Sequence, residues 1–224
     1  VTVTAKDDGD ENGDGNVNIY QQTFTLTVNA APTFNTIEDI TVDEDSGEGS
    51  VTYTGVGPGG GTDEAGQYVT MTVASLNTPV VGILTGDNAG FTYAPVADAN
   101  GLATITVTAD DGQSANSSTM QSFTITVNAV NDAPTFDTID VAYFTFDETS
   151  GVYSVSVTGI SAGPADEAAQ TVTLTAEVSD SDSSGAAVDV TQNVDIATIT
   201  VTPVTDFSGS VTVTVTAKDD GDEN

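Results

Sequence analysis

The chain has 224 residues, of which 34 are Asp or Glu and only two are Lys or Arg, so its formal net charge is −32. This charge disfavours nucleic acid as a partner, since phosphate binding needs Lys and Arg, and it disfavours an anionic membrane surface. It favours bound or screening cations. The chain has no Cys and no His, and no apolar run approaches the roughly 20 residues of a membrane helix.

The first 30 residues carry a long-range repeat. The twelve letters VTVTAKDDGDEN stand at residues 1–12 and again at 213–224, an offset of 212 residues. The match predicts that the chain is a window on a longer array with that period. Residues 1–30 are then the last two strands of a β-sandwich that begins in the preceding copy.

An acidic loop follows the first predicted strand. The front half of an EF-hand calcium loop is matched by Asp8, Asp10, Asn12 and Asp14. The position that needs a bidentate Glu holds Ile19, and the predicted setting is a β-hairpin. Two interpretations stay open, a loop that holds Ca²⁺ and a solvated acidic turn.

Between residues 31 and 130, apolar residues alternate with Thr, as at Phe123, Ile125 and Val127. This period of two is typical of strands that pack on one face only. We predict about seven strands, over roughly 34–42, 50–56, 68–75, 79–84, 90–94, 102–109 and 120–128. About seven short strands in about 100 residues is typical of an immunoglobulin-like Greek-key sandwich, so the predicted fold class is all-β.

Residues 131–224 repeat features of the preceding unit. The letters APTF occur at 31–34 and at 133–136, and DEAGQYVTMT from Asp63 is echoed by DEAAQTVTLT from Asp166. This segment predicts the first five strands of a second sandwich, which the equivalent of residues 1–30 completes. The missing strands come either from a covalently continuing polypeptide or from exchange between neighbouring copies.

The stretch ITVTADDGQSANSSTMQSFTITVNAVNDAPTF, which ends at Phe136, resembles the end of one cadherin repeat and the start of the next. It is also similar to the cadherin-like and immunoglobulin-like tandem repeats of large bacterial surface adhesins. The resemblance implies a cadherin-like sandwich on the outside of a bacterial or archaeal cell. It also implies Ca²⁺ at the junctions between repeats and neighbouring copies of the same repeat as partners.

The acidic residues fall where such junctions are expected, at the ends of sandwiches. Hard oxygen ligands in this number suit Ca²⁺, which takes about six to eight of them. We expect the second junction (residues 127–136) to gather Asn131, Asp132, Asp166, Glu167, Asp219 and Asp220, with Asp43, Glu44, Asp45 and Asp98 from the preceding sandwich.

The first junction (residues 28–34) reads VNAAPTF and lacks the Asn-Asp pair of the second. A site there has to rely on Asp63, Glu64, Asp110 and Asp111. The alternative at both junctions is that the acids are simply solvated loop charge.

These features predict a structural module of an extracellular stalk or filament, stiffened by Ca²⁺ at its acidic junctions. One alternative is an adhesin region that contacts glycans or neighbouring cells through loops such as 57–67. Another is a non-covalent filament subunit that exchanges strands between copies. No enzyme is predicted, because His, Cys and Arg are absent and no Gly-rich phosphate loop precedes a helix.

Overall fold

The structure of the protein is a computed structural model that describes residues 1–6, 19–77, 79–139, 145, 149, 151–179 and 185–221. No helix in these ranges is long and apolar enough to cross a membrane. One short 3-10 turn lies at Ala165–Glu167. The strands are β1 (Thr2–Lys6), β2 (Ile19–Thr23), β3 (Ile40–Asp43), β4 (Gly49–Thr52), β5 (Thr70–Ser75), β6 (Val81–Gly86), β7 (Gly90–Pro95), β8 (Gly101–Asp110), β9 (Ser118–Asn128), β10 (Tyr153–Val157), β11 (Thr173–Ser179), β12 (Ala186–Asn193), β13 (Ile196–Pro203) and β14 (Thr212–Lys218).

Strands β3 to β9 form the first sandwich. One sheet has the order β3-β9-β8-β5 and the other has the order β4-β7-β6. Neighbouring strands are antiparallel except for β3 and β9, which are parallel, with Ile40 opposite Ile125. Seven strands in two sheets confirm the predicted fold class.

The strand predicted over 34–42 is a shorter element, because the chain changes sheets within it. Thr33 pairs with Gly57 beside the sheet of β4, and the backbone N–H of Asn35 donates to Thr54 O at 2.9 Å. The chain then crosses over and pairs with β9 from Ile40 onward. Alternation alone does not reveal this crossing, since both halves present apolar residues to the same core.

The core of the first sandwich is built by the predicted alternation. Ile105, Val107 and Ile125 are completely buried, while the Thr residues between them face outward. Phe91 lies at the centre, with ring centroids 6.1 Å from Tyr53 and 6.2 Å from Phe123. Aliphatic and aromatic packing therefore fills the place that a disulfide and a Trp take in other immunoglobulin-like sandwiches.

Strands β10 to β14 surround a second core. Their sheets have the orders β10-β13-β12 and β11-β14. Ala197, Ile199 and Val157 are its most deeply buried members, at 0 to 2% exposure. The valines of β14 are only partly buried, in contrast to the equivalent β8 residues of the first sandwich.

Strands β1 and β2 form a separate antiparallel hairpin in which Thr4 lies opposite Gln21. Every residue of both strands is exposed. A two-stranded hairpin without a packed face is marginally stable in water. The hairpin therefore gains little from its own contacts.

Candidate cation site at the junctions

Glu167 is a carboxylate buried beside the second junction. It lies on the 3-10 turn that Pro164 precedes, and the Glu167 side chain is 4% exposed. Its Oε1 accepts a hydrogen bond from the backbone N–H of Asp132 at 2.6 Å, and its Oε2 is buried without a hydrogen-bond partner. Gly163 has φ +155, and a Cβ there would overlap Oε2. An ionised oxygen in such a place is costly unless a cation or donor meets it.

Glu44 reaches the same linker from the first sandwich. It follows β3 directly, and only 2% of it is exposed. Its Oε1 accepts a hydrogen bond from the backbone N–H of Val130 at 2.8 Å, and its own N–H donates to Asn128 O at 3.1 Å. Its Oε2 is likewise buried without a partner. Two buried glutamates, one from each sandwich, thus hold the linker 128–132.

Two amide side chains complete the second junction. Asn131 donates through Nδ2 to Asp219 Oδ1 at 3.3 Å, and Gln170 donates through Nε2 to Asn131 Oδ1 at 3.0 Å. Asp219 is 8% exposed and also accepts from the backbone N–H of Gly221 at 3.1 Å. The linker is therefore bonded to the second sandwich through side chains as well as backbone.

Repulsion between carboxylates shows which acids lie together. Burial raises the pKa of Glu44, and the nearby charges of Asp166, Asp45 and Asp132 raise it further, against the opposing hydrogen bond from Val130. The pKa of Asp132 is also raised, first by desolvation and then by Asp45, Glu167, Asp98 and Asp166. Carboxylates from both sandwiches thus share one electrostatic environment.

One direct polar contact links the two sandwiches beside these acids. Asn100, two residues after Asp98, donates through Nδ2 to Asp166 Oδ2 at 3.2 Å. Asp98 itself is exposed and has a positive φ of 57°. The loop before β8 therefore meets the 3-10 turn of the next sandwich.

Other acids from the predicted set have different contacts. Asp43 Oδ1 accepts from Asn128 Nδ2 at 3.1 Å, and Asp220 Oδ1 accepts from the backbone N–H of Thr171 at 2.7 Å. Within the described ranges, no group of three or more His, Cys, Asp or Glu residues is arranged to hold a metal ion. The donors of the second junction fit a hard cation in chemistry and in their unpartnered buried oxygens, but they do not converge as ligands.

The first junction has the same arrangement around Glu64. This residue is 5% exposed, its Oε1 accepts from the backbone N–H of Ala30 at 2.8 Å, and its Oε2 is buried without a partner. Asn29 donates to Asp111 Oδ2 at 2.8 Å, and Gln67 donates to Asn29 Oδ1 at 3.1 Å. A Cβ on Gly60 would overlap Glu64 Oε2.

The first junction has the Asn of the Asn-Asp pair, which the sequence pattern did not reveal. Asn29 and Asn131 each stand three residues before a proline, Pro32 or Pro134, and make equivalent contacts. The Asp of the pair is replaced, because Ala30 stands where the second junction has Asp132. Counting back from the proline, rather than forward from the strand, identifies this equivalence.

The remaining predicted ligands do not join the first junction in this way. Asp63 is exposed, and Asp110 accepts from the backbone N–H of Gly112 at 2.7 Å. The EF-hand-like residues lie outside the described ranges; they are Asp8, Asp10, Asn12 and Asp14. The loop 57–67, a candidate for gripping an external ligand, contacts the junction through Glu64 and Gln67.

The chain was compared with protein-family profiles, curated proteins and solved structures. No protein-family profile and no curated protein matches the chain. It is similar to the crystal structure of Drosophila N-cadherin EC1-4, at 22% identity and TM-score 0.48, over 86% of this chain and 46% of that one. It is also similar to protocadherin Gamma B2 extracellular cadherin domains 1-5, at 15% identity and TM-score 0.46, over 97% of this chain and 43% of that one.

Both TM-scores are below 0.5, so the fold is established by the strand pairing of the chain itself, two sheets of the first sandwich around one core. The chain spans a little under half of the length of each of these two structures. At these identities and TM-scores, what the junction binds has to be argued from its own residues.

Proposed function

We propose that the chain is a structural repeat module of an extracellular stalk or filament, and that Ca²⁺ bound at the acidic junctions stiffens it. The observation that carries the proposal is the pair Glu44 and Glu167. They come from two sandwiches, grip one linker, and each keeps a buried oxygen without a hydrogen-bond partner.

The residues that would hold the cation at the second junction are Glu44 and Asp132, whose pKa values are raised, and the acids whose charges contribute to those two shifts. They are Glu44, Asp45, Asp98, Asp132, Asp166 and Glu167, with Asp219 and Asn131 beside them. A bound Ca²⁺ supplies positive charge that neutralises this cluster and meets the unpartnered oxygens.

The mechanical consequence follows from where these acids are anchored. Glu44 lies at the end of β3 and Glu167 on the 3-10 turn, so they belong to different sandwiches. In the absence of a cation their mutual repulsion works against the packed junction. With a cation bound, the same carboxylates resist bending of the linker, and a row of such junctions resists bending of the whole filament.

The proposed extracellular placement would account for the ion supply. Extracellular modules that bind Ca²⁺ do so at about 10⁻⁴–10⁻³ M. The linker of the first junction has Ala30 in place of Asp132 and so offers one carboxylate fewer than the linker of the second. We expect it to bind Ca²⁺ more weakly than the second.

The test is a Ca²⁺ titration of the 224-residue chain, followed by thermal unfolding and small-angle X-ray scattering. We expect the unfolding temperature to rise over the millimolar range and the chain to become more extended. The same titration with Mg²⁺ is the control, since Mg²⁺ keeps its water and demands a stricter octahedron. An unfolding temperature and scattering curve that do not respond to Ca²⁺ would refute the proposal.

A further inference from the structure

Strand β14 lacks a neighbour that its counterpart has. In the first sandwich, β8 is paired with β5 on one side and β9 on the other. In the second sandwich, β14 is paired with β11, and the described residues place no strand on its other side. The burial of the two strands differs accordingly: Ile105 of β8 is fully buried, while the equivalent Val213 of β14 is only partly buried.

The segment that follows β2 has an apolar face that packs against no core. Phe24, Leu26 and Val28 are 55%, 68% and 78% exposed. They occupy the same repeat positions as Phe123, Ile125 and Val127 of β9, which are 5%, 0% and 2% exposed. An alternating apolar face of this kind belongs in a sandwich.

Two independent registers show how the segment fits the open edge. Residues 1–6 are identical in sequence to residues 213–218, and β2 pairs with β1 so that Thr4 lies opposite Gln21. Transferred to β14, this register sets Thr216 opposite Gln21. The pairing of β8 with β9 gives a second register, because Ile105 lies opposite Phe123 there. Val213 and Phe24 are their repeat equivalents, so this register sets Val213 opposite Phe24. The two registers are the same.

We infer that residues 19–28 of a second copy of this chain add to the open edge of β14 and complete the second sandwich. Strand β2 leaves its partner β1 and pairs instead with β14 of the other copy, where residues 213–218 have the sequence of residues 1–6. Each backbone hydrogen bond of the hairpin is thereby replaced by an equivalent one. What changes is burial, because β14 lies on a core and β1 does not. Apolar burial therefore drives the exchange.

The donated strand also fixes the direction of growth. Residues after β9 lead through Asn131 into the next sandwich, and residues after β2 lead through Asn29 into the first sandwich of their own copy. Each added copy thus extends the row head to tail, a contact that produces an open filament. This inference goes beyond the cation site and does not depend on it.

Disulfide trapping tests the register, since the chain has no Cys of its own. A variant carrying both Gln21→Cys and Thr216→Cys is oxidised in excess chelator, which removes any contribution from Ca²⁺. We expect a ladder of covalent multiples of 22.6 kDa on a non-reducing denaturing gel. The matched control carries Tyr20→Cys with Thr216→Cys, one residue out of register and on the opposite face.

Each outcome decides the matter. A ladder in the matched variant and its absence in the control supports donation by a second copy. A cross-linked monomer would mean that the strand folds back within its own chain, and equal ladders in both variants would mean random collision. Either result, or no cross-link at all, overturns the inference.

A second pair of variants tests the apolar face without altering the chain's own core. In the cysteine variant, Leu26→Asp should reduce the ladder at least about tenfold, because a charge would enter the completed core. Thr25→Asp, on the opposite face, should leave it unchanged. Both positions are exposed in the isolated chain, so circular dichroism should show both variants folded. Equal ladders in these two variants would contradict the inference.

Discussion

Glu44 is the residue at which burial and charge conflict most directly. In chelator, Glu44→Gln should stabilise the chain by on the order of 1 kcal/mol, the size of a typical single substitution. The amide can still accept the hydrogen bond from Val130 through its oxygen, and it removes a charge that Asp166, Asp45 and Asp132 repel. In millimolar Ca²⁺ the variant should instead be the less stable protein. Thermal unfolding in both media measures the change of sign.

The control for this substitution is Glu177→Gln, an exposed position on β11. It removes the same charge away from the junction and should shift stability little in either medium. A Glu44→Gln variant that tracks the control in both media would contradict the proposed cation site.

The raised pKa values of Glu44 and Asp132 give a pH dependence with a definite sign. A carboxyl whose pKa is higher in the folded state holds its proton more tightly there, so its ionisation lowers stability as the pH rises. The penalty disappears below the unfolded values, 4.5 for Glu44 and 3.8 for Asp132. In chelator, the stability gap between Glu44→Gln and the parent chain should therefore narrow as the pH falls from 7 to 4.5. A gap that stays constant would show that Glu44 is not desolvated.

The acids of the junction could be predicted from sequence, and their partners could not. Glu44 and Glu167 lie in turns at the ends of sandwiches, where an acidic cluster implies a cation. Gln67 and Gln170 carry no such signal, because an amide acquires its role only from the backbone that folds against it. Asn29 was hidden because the two linkers differ in length before their prolines.

At the scale of elements, the turn that carries Glu167 depends on Gly163. Gly163→Ala should displace the Glu167 carboxylate, because the added Cβ would overlap Oε2, and so abolish most of the stabilisation by Ca²⁺. Gly151→Ala is the matched control, since Gly151 also has a positive φ, +80, but a Cβ there meets nothing within 4 Å. Both variants share the backbone strain, which is about 1 kcal/mol or more. Only the first should lose its response in a Ca²⁺ titration followed by thermal unfolding.

Strands were the most predictable elements, and the reason is the Thr and Val alternation. Strands β5, β8 and β9 lie close to their predicted ranges because one face of each is buried. The predicted strand over 34–42 was wrong in extent, since its first half bonds to one sheet and its second half to the other. Periodicity reports which face is buried and does not report which neighbour supplies the hydrogen bonds.

At the scale of the whole molecule, a net charge of −32 has two separate effects. Charges spread over the exposed Thr-rich faces and loops repel one another through solvent, and salt screens this repulsion. The Oε2 atoms of Glu44, Glu64 and Glu167 are buried. The diffuse ion atmosphere therefore screens them weakly, and an ion must bind in direct contact to neutralise their charge. Monovalent salt and Ca²⁺ should therefore act on different parts of the molecule.

Limited proteolysis separates these two effects. In chelator, 1 M NaCl shortens the screening length to about 3 Å and should raise the unfolding temperature, yet it should leave the linker 128–132 open to elastase, which cuts after small residues such as Ala129. Millimolar Ca²⁺ should protect the linker at low salt, because it binds the carboxylates that hold Val130 and Asp132. Mass spectrometry of the fragments identifies the cut, and Glu44→Gln should remain cleavable in Ca²⁺. Equal protection by NaCl and by Ca²⁺ would show that general screening, rather than a bound ion, rigidifies the junction.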